Sequence, residues 1–154
     1  MENIEYLKAQ TTSLINLYNA KRYEDVIQKG KALIKKFPNQ LLFYNATSLS
    51  LSAIGKDEEA LELLKQALSQ QNNNIHVLNN LGLINGNLNR NKLAREYYDK
   101  ALSINGKFID ALINLANLNL KENKIKETKN CLDTAAKESK IPQSDIVVNL
   151  ALGQ

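Results

Sequence analysis

Small residues recur in this chain at an interval of 34, and that recurrence restricts the fold more than any other feature. Ala60 and Ala94 are 34 apart, Ala67, Ala101 and Ala135 fall at the same step, and Leu68 and Leu102 follow directly behind the first two of these. The same interval joins Leu81 to Leu115 and Gly82 to Ala116. Two antiparallel helices approach closely only where one presents Gly or Ala at the crossing, with larger apolar side chains on either side. A period of this length predicts helical hairpins piled on one another, each burying its apolar face against its neighbours. Gly55, Asn89 and Asn123 are again 34 apart and suit a positive φ, so each is expected to end the first helix of a hairpin.

Leu81-Gly82-Leu83, followed by Ala94-Arg95-Glu96-Tyr97-Tyr98-Asp99-Lys100-Ala101-Leu102, resembles the tetratricopeptide repeat (TPR) family, as does Asp57-Glu58-Glu59-Ala60-Leu61 with Ala67-Leu68. The resemblance implies an all-α fold, a right-handed superhelix of four helical hairpins, in a single domain over residues 1–154. The repeats read as 7–40, 41–74, 75–108 and 109–142. Some positions depart from the family pattern. The first unit has Val26 and Leu33 where alanine is favoured and Gly30 where an aromatic is favoured, although Tyr23 and Pro38 fit. Asn72 and Gly106 replace the closing proline, and Asn85 and Asn119 stand where a large buried residue is common, so they either soften the core or reach a polar partner.

Beyond Pro142, Ser144-Asp145 reads as a helix start, and Ile146 to Leu152 repeats the pattern of Ile109 to Asn117. Residues 143–154 are therefore expected to form the first helix of an incomplete fifth repeat, or a cap. That helix is apolar around most of its circumference, and each buried Leu or Val is worth about 1.5 to 3 kcal/mol. It is expected to continue into a longer protein or to be covered by a second copy, giving a homo-oligomer.

Composition bounds the function. With 44% hydrophobic and 23% charged residues the chain should fold in water. No run approaches the roughly 18 apolar residues of a membrane helix, and the start at Met1-Glu2 is acidic where a signal peptide would be basic. One cysteine, Cys131, closes no intrachain disulfide, and a cytoplasmic address is expected. The net charge of +4 comes from lysines and arginines spread along the chain, which fits solvated helix faces better than a nucleic-acid stripe. Catalysis needs converging titratable groups, and the chain offers a single histidine, His76, beside the helix start at Asn73 and Asn74. Cys131 is in phase with Leu63 and Tyr97 and is expected to pack. Asp57-Glu58-Glu59 sits in a first helical turn, where the helix dipole accounts for it without a metal. No cysteines or histidines have metal-ligand spacing and no glycine-rich phosphate loop is present, so neither enzyme activity nor a cofactor is expected.

In the family the first helix of each hairpin lines a concave groove. Phase places Thr11, Ile15, Asn45, Leu49, Asn79, Asn80, Leu83, Ile113, Asn114, Asn117 and Asn149 there. Asn80 and Asn114 are 34 apart and Asn149 follows at 35, a row similar to the groove asparagines of the O-linked N-acetylglucosamine transferase repeats, which hold the backbone of an extended peptide. A primary amide pairs with a peptide N–H and C=O together without reading side chains. Each net hydrogen bond is worth about 0.5 to 1.5 kcal/mol, so Leu49, Leu83 and Ile113 would have to add to an affinity of tens of micromolar or weaker. Abundant asparagine, as in Asn72-Asn73-Asn74, is a compositional alternative. The two-lysine and asparagine clamp of chaperone-binding repeats is not reproduced, since Lys8 and Thr11, and then His76 and Asn80, occupy the corresponding helices. The expected function is a scaffold for a protein or peptide partner. The alternatives are the substrate-recruiting arm of a larger bacterial-type glycosyltransferase, sulfotransferase or oxygenase, and a self-assembling scaffold.

Overall fold

The computed structural model describes residues 2–139, and within them all regular structure is helical. The expected Asn149 and the helix read within 143–154 lie outside the described residues. The chain divides after Asn72 into two compact units. The first contains α1 (Glu2–Asn19), α2 (Tyr23–Lys36), α3 (Leu41–Ala53) and α4 (Asp57–Gln70). The second contains α5 (Ile75–Asn87), α6 (Asn91–Ile104), α7 (Ile109–Lys121) and α8 (Ile125–Ser139). In each unit consecutive helices pack on one another, and the first and third are also in contact.

The turns explain where the odd-numbered helices stop. Gly55, Asn89 and Asn123 adopt φ of 80°, 58° and 58°, as their residue types suggest, and Lys21 joins them at 57°. Lys21 precedes Gly55 by 34, so the turn recurs in the first unit as well, on a residue with no intrinsic taste for that conformation. At each turn the next residue's N–H reaches back five positions: Arg22 to the Leu17 carbonyl, Lys56 to Leu51, Arg90 to Asn85 and Lys124 to Asn119, at 2.8 to 3.0 Å. The positive-φ residue itself donates three positions back, as Asn89 does to Gly86 at 3.1 Å. This double bond pattern, a Schellman motif, satisfies carbonyls that helix ends leave orphaned.

Helix starts are less uniformly provided for. Asn74 caps α5, its Oδ1 accepting from the backbone N–H groups of His76 and Val77 at 3.1 and 3.0 Å. At the start of α4 the acidic Asp57, Glu58 and Glu59 face the positive end of the helix dipole, and Asp57 also accepts from the Ser52 hydroxyl at 2.5 Å.

In the first unit Leu14, Val26, Leu33 and Phe43 form a buried cluster, against which Leu7, Leu17 and Phe37 pack. Gly30 lets α2 close on α3, because a methyl group there would collide with the Thr47 hydroxyl. In the second unit two clusters meet. Ala94, Tyr98, Leu115 and Leu118 form one, Leu112, Ala116, Leu132 and Ala135 the other, and Leu102 and Cys131 touch both. Ala60, Ala67, Ala94, Ala101, Ala116 and Ala135 are all fully buried, as their recurrence at close crossings requires.

The two asparagines in core positions take different partners. Asn85 Nδ2 donates to the Leu81 carbonyl at 2.7 Å, while its Oδ1 is buried without a hydrogen bond. Asn119 accepts from Arg95 at 2.7 Å, and the same guanidinium nitrogen reaches Glu122 at 2.8 Å. Asn119 also approaches the Cys131 sulfur at 3.9 Å. The polar residues around Asn119 are accommodated through a charge-assisted network that only the fold assembles.

Candidate functional site

In the second unit α5 and α7 are in contact, and the residues expected from phase lie within one helical turn of each other on each helix. On α5 these are Asn79, Asn80 and Leu83, and on α7 they are Ile113, Asn114 and Asn117. Asn79 and Asn80 are almost fully covered, at 6% and 8% exposure, whereas Leu83, Asn114 and Asn117 are half-buried and border open space. Asn114 Nδ2 donates to Asn79 Oδ1 at 3.0 Å, which ties α7 to α5 and fixes how the Asn114 amide is turned. Ile113 turns its apolar surface toward the Leu112, Ala116, Leu132 and Ala135 cluster.

Beside this face a cavity of about 250 Å³ opens between three helices. Leu83, Gly86 and Asn87 of α5 form one wall, and Asn114, Asn117, Leu118 and Lys121 of α7 form another. Tyr98 of α6 closes the back. Its ring lies against Gly82, where a β-carbon would fall 2.5 Å from Tyr98 Cε1. Tyr98 is 3% exposed, and burial pushes its phenol well above the ordinary tyrosine value, so it stays a neutral hydroxyl.

In the first unit Asn45 and Leu49 lie half-buried on α3, and on α1 Thr11 is half-buried and Ile15 exposed. Gly86, Asn87, Tyr98, Leu118 and Lys121 also line the cavity and are not among the positions expected from phase. Lys121 could have been found from its place seven after Asn114 and four after Asn117, on one helical face. Tyr98 could not, because its access to the cavity depends on how α6 crosses α5.

Other candidate groups are placed as follows. His76 is exposed, its ring edge-on to Phe108 with centroids 5.1 Å apart. Cys131 is half-buried between the two clusters, and desolvation raises its thiol, with the nearby Arg95 guanidinium acting in the opposite sense. Among the described residues no three His, Cys, Asp or Glu side chains converge to hold a metal ion, and no helix is long and apolar enough to cross a membrane.

A tetratricopeptide repeat family model matches residues 75–108. The protein class defined by these hairpins is thus the TPR fold, all-α and built of repeated helix pairs. Solved structures, two of them described as TPR proteins, share it across most of the chain. A thermophilic TPR protein of Thermus thermophilus superimposes with a TM-score of 0.84 at 20% identity, over 93% of this chain and 78% of its own. MamA of Desulfovibrio magneticus RS-1 gives 0.70 at 16% identity, over 86% and 75%. YrrB, described as a TPR protein with an unusual peptide-binding site, gives 0.62 at 16% identity, over 84% and 66%. No curated protein matches the chain by sequence.

Proposed function

We propose that this chain is a non-catalytic protein-interaction scaffold, and that the α5–α7 face of its second unit holds an extended segment of a protein partner. The observation that carries the reading is the pair of half-buried amides Asn114 and Asn117 beside an open cavity and the apolar Leu83, on a face otherwise closed by Asn79 and Asn80. Amides supply a donor and an acceptor to a peptide backbone, and Leu83 supplies apolar contact, the combination expected of a groove that binds an extended chain. The peptide-binding site described for YrrB, of the same fold, lends support. Asn45 and Leu49 are read as the corresponding groove positions of the first unit.

The division into repeats at 7–40, 41–74, 75–108 and 109–142 belongs to the same reading, supported by recurrence of the positive-φ turn at Lys21, Gly55, Asn89 and Asn123. A cytoplasmic setting is proposed on the strength of the single unpaired cysteine. A second reading, a recruiting element of a larger assembly, draws on the Naa15/Naa10 complex bound to HypK-THB. There the similar fold occupies 20% of a longer chain, at a TM-score of 0.69 and 22% identity.

An array of nine-residue peptides probed with the wild-type chain and with Asn80→Ala and Asn114→Ala tests the proposal. Bound peptides should lose about three- to tenfold in affinity with Asn114→Ala, the worth of one or two net hydrogen bonds. An unchanged array pattern in both variants overturns the role of the amides.

A further inference from the structure

The cavity between α5, α6 and α7 has a chemistry that backbone binding leaves unused. Of the residues lining it none is acidic, one is the cation Lys121, and the polar remainder, Tyr98, Asn87, Asn114 and Asn117, can all donate hydrogen bonds. Tyr98 is nearly fully buried, yet its hydroxyl makes no hydrogen bond to a described group and faces this space. The oxygen itself reaches the cavity space, so an acceptor on a ligand there can take the hydroxyl proton in a hydrogen bond. Lys121 is exposed at the mouth and forms no ion pair with the described carboxylates. Glu122, the nearest along the chain, is taken by Arg95 and Lys124 at 2.8 and 2.6 Å.

Asn79 sharpens the polarity. By accepting from Asn114 Nδ2 it fixes which way that amide is turned, so Asn79 acts as a positioning residue for the wall of the cavity. A single positive charge with neutral donors matches a singly charged anion; a doubly charged phosphate would call for more than one cation. A volume of about 250 Å³ admits a short side chain and excludes a folded domain.

We propose that this cavity receives an aspartate or glutamate side chain of the bound segment, so that the scaffold selects acidic peptides. The inference rests on the peptide-binding reading above and adds a specificity to it. Lys121 supplies the counter-charge and Tyr98 donates to the carboxylate, leaving Asn117 to the peptide backbone.

The test uses the full chain and pairs of nine-residue peptides that differ only as Glu against Gln at one position, each made with a free and with an amidated C terminus. The expected result is about fivefold or greater preference for the Glu member whatever the terminus. Lys121→Gln and Tyr98→Phe should reduce the preference and Lys121→Arg should retain it, with helicity unchanged by circular dichroism. Peptides bound without a Glu preference overturn the inference and leave the peptide-binding reading intact. A preference that follows the free C terminus, or that survives Lys121→Gln, overturns it equally. Failure of every peptide to bind overturns both.

Discussion

Tyr98 lays its ring across Gly82, so close that a β-carbon on the glycine would sit 2.5, 2.7 and 3.0 Å from three ring carbons. The pair makes a close crossing of α5 and α6, and the aromatic ring can also back the cavity because the glycine yields its space.

Gly82→Ala should therefore destabilise the chain by about 1 to 3 kcal/mol, the usual cost of overpacking a filled core. Gly86→Ala, one turn further along, meets only ordinary contacts at 3.9 Å and should stabilise by about 0.5 to 1 kcal/mol through reduced freedom of the unfolded chain. Urea unfolding of the two variants measures both, and equal effects would contradict the packing described.

The four hairpin turns separate backbone cost from contact cost. Gly55 has φ of 80° and no neighbour near its missing β-carbon, so Gly55→Ala should lose about 1 kcal/mol for conformational reasons alone. Lys21→Gly, at φ 57°, should gain a similar amount. Thermal melts that move in the same direction for both would exclude strain as the cause.

Gly30 and Thr47 should behave as a coupled pair. A methyl group at Gly30 collides chiefly with the Thr47 hydroxyl, which itself donates to the Phe43 carbonyl at 2.6 Å. Gly30→Ala should be less damaging in a Thr47→Ala background, with a coupling of about 1 kcal/mol in a double-mutant cycle. Strict additivity would show that the two positions do not compete for space.

Arg95 holds Asn119 and Glu122 together, and Arg95→Ala should cost about 1 to 3 kcal/mol by leaving the buried Asn119 oxygen without a donor. The same cluster sets a pH dependence. A hydrogen bond from Lys124, followed by Arg95, holds the Glu122 carboxyl below its ordinary value of 4.5. The unfolded chain then binds this proton more readily than the folded one. The contribution is complete above the ordinary value and is lost as pH falls through the lower folded value. Glu122→Gln should flatten the decline in stability as pH falls below the ordinary carboxyl value, as followed by circular dichroism in urea.

The sequence by itself determined which residues turn and which lie at close crossings. Gly55, Asn89 and Asn123 were legible because few residues tolerate positive φ, and the alanines because a small side chain repeated every 34 residues has few other uses. Lys21 was not, since its conformation is imposed by the turn around it. Phase also marked Asn79, Asn80 and Asn114 as sharing a face, because residues a period apart in equivalent helices point the same way. What tertiary structure alone decided is how those amides are used. Asn114 turns to Asn79 instead of standing free, Asn119 finds Arg95 from another helix, and Tyr98 reaches the cavity because α6 crosses at a glycine. Periodicity fixes direction around one helix axis, whereas hydrogen-bond partners and cavities depend on distances between axes, which are set only when the hairpins pack.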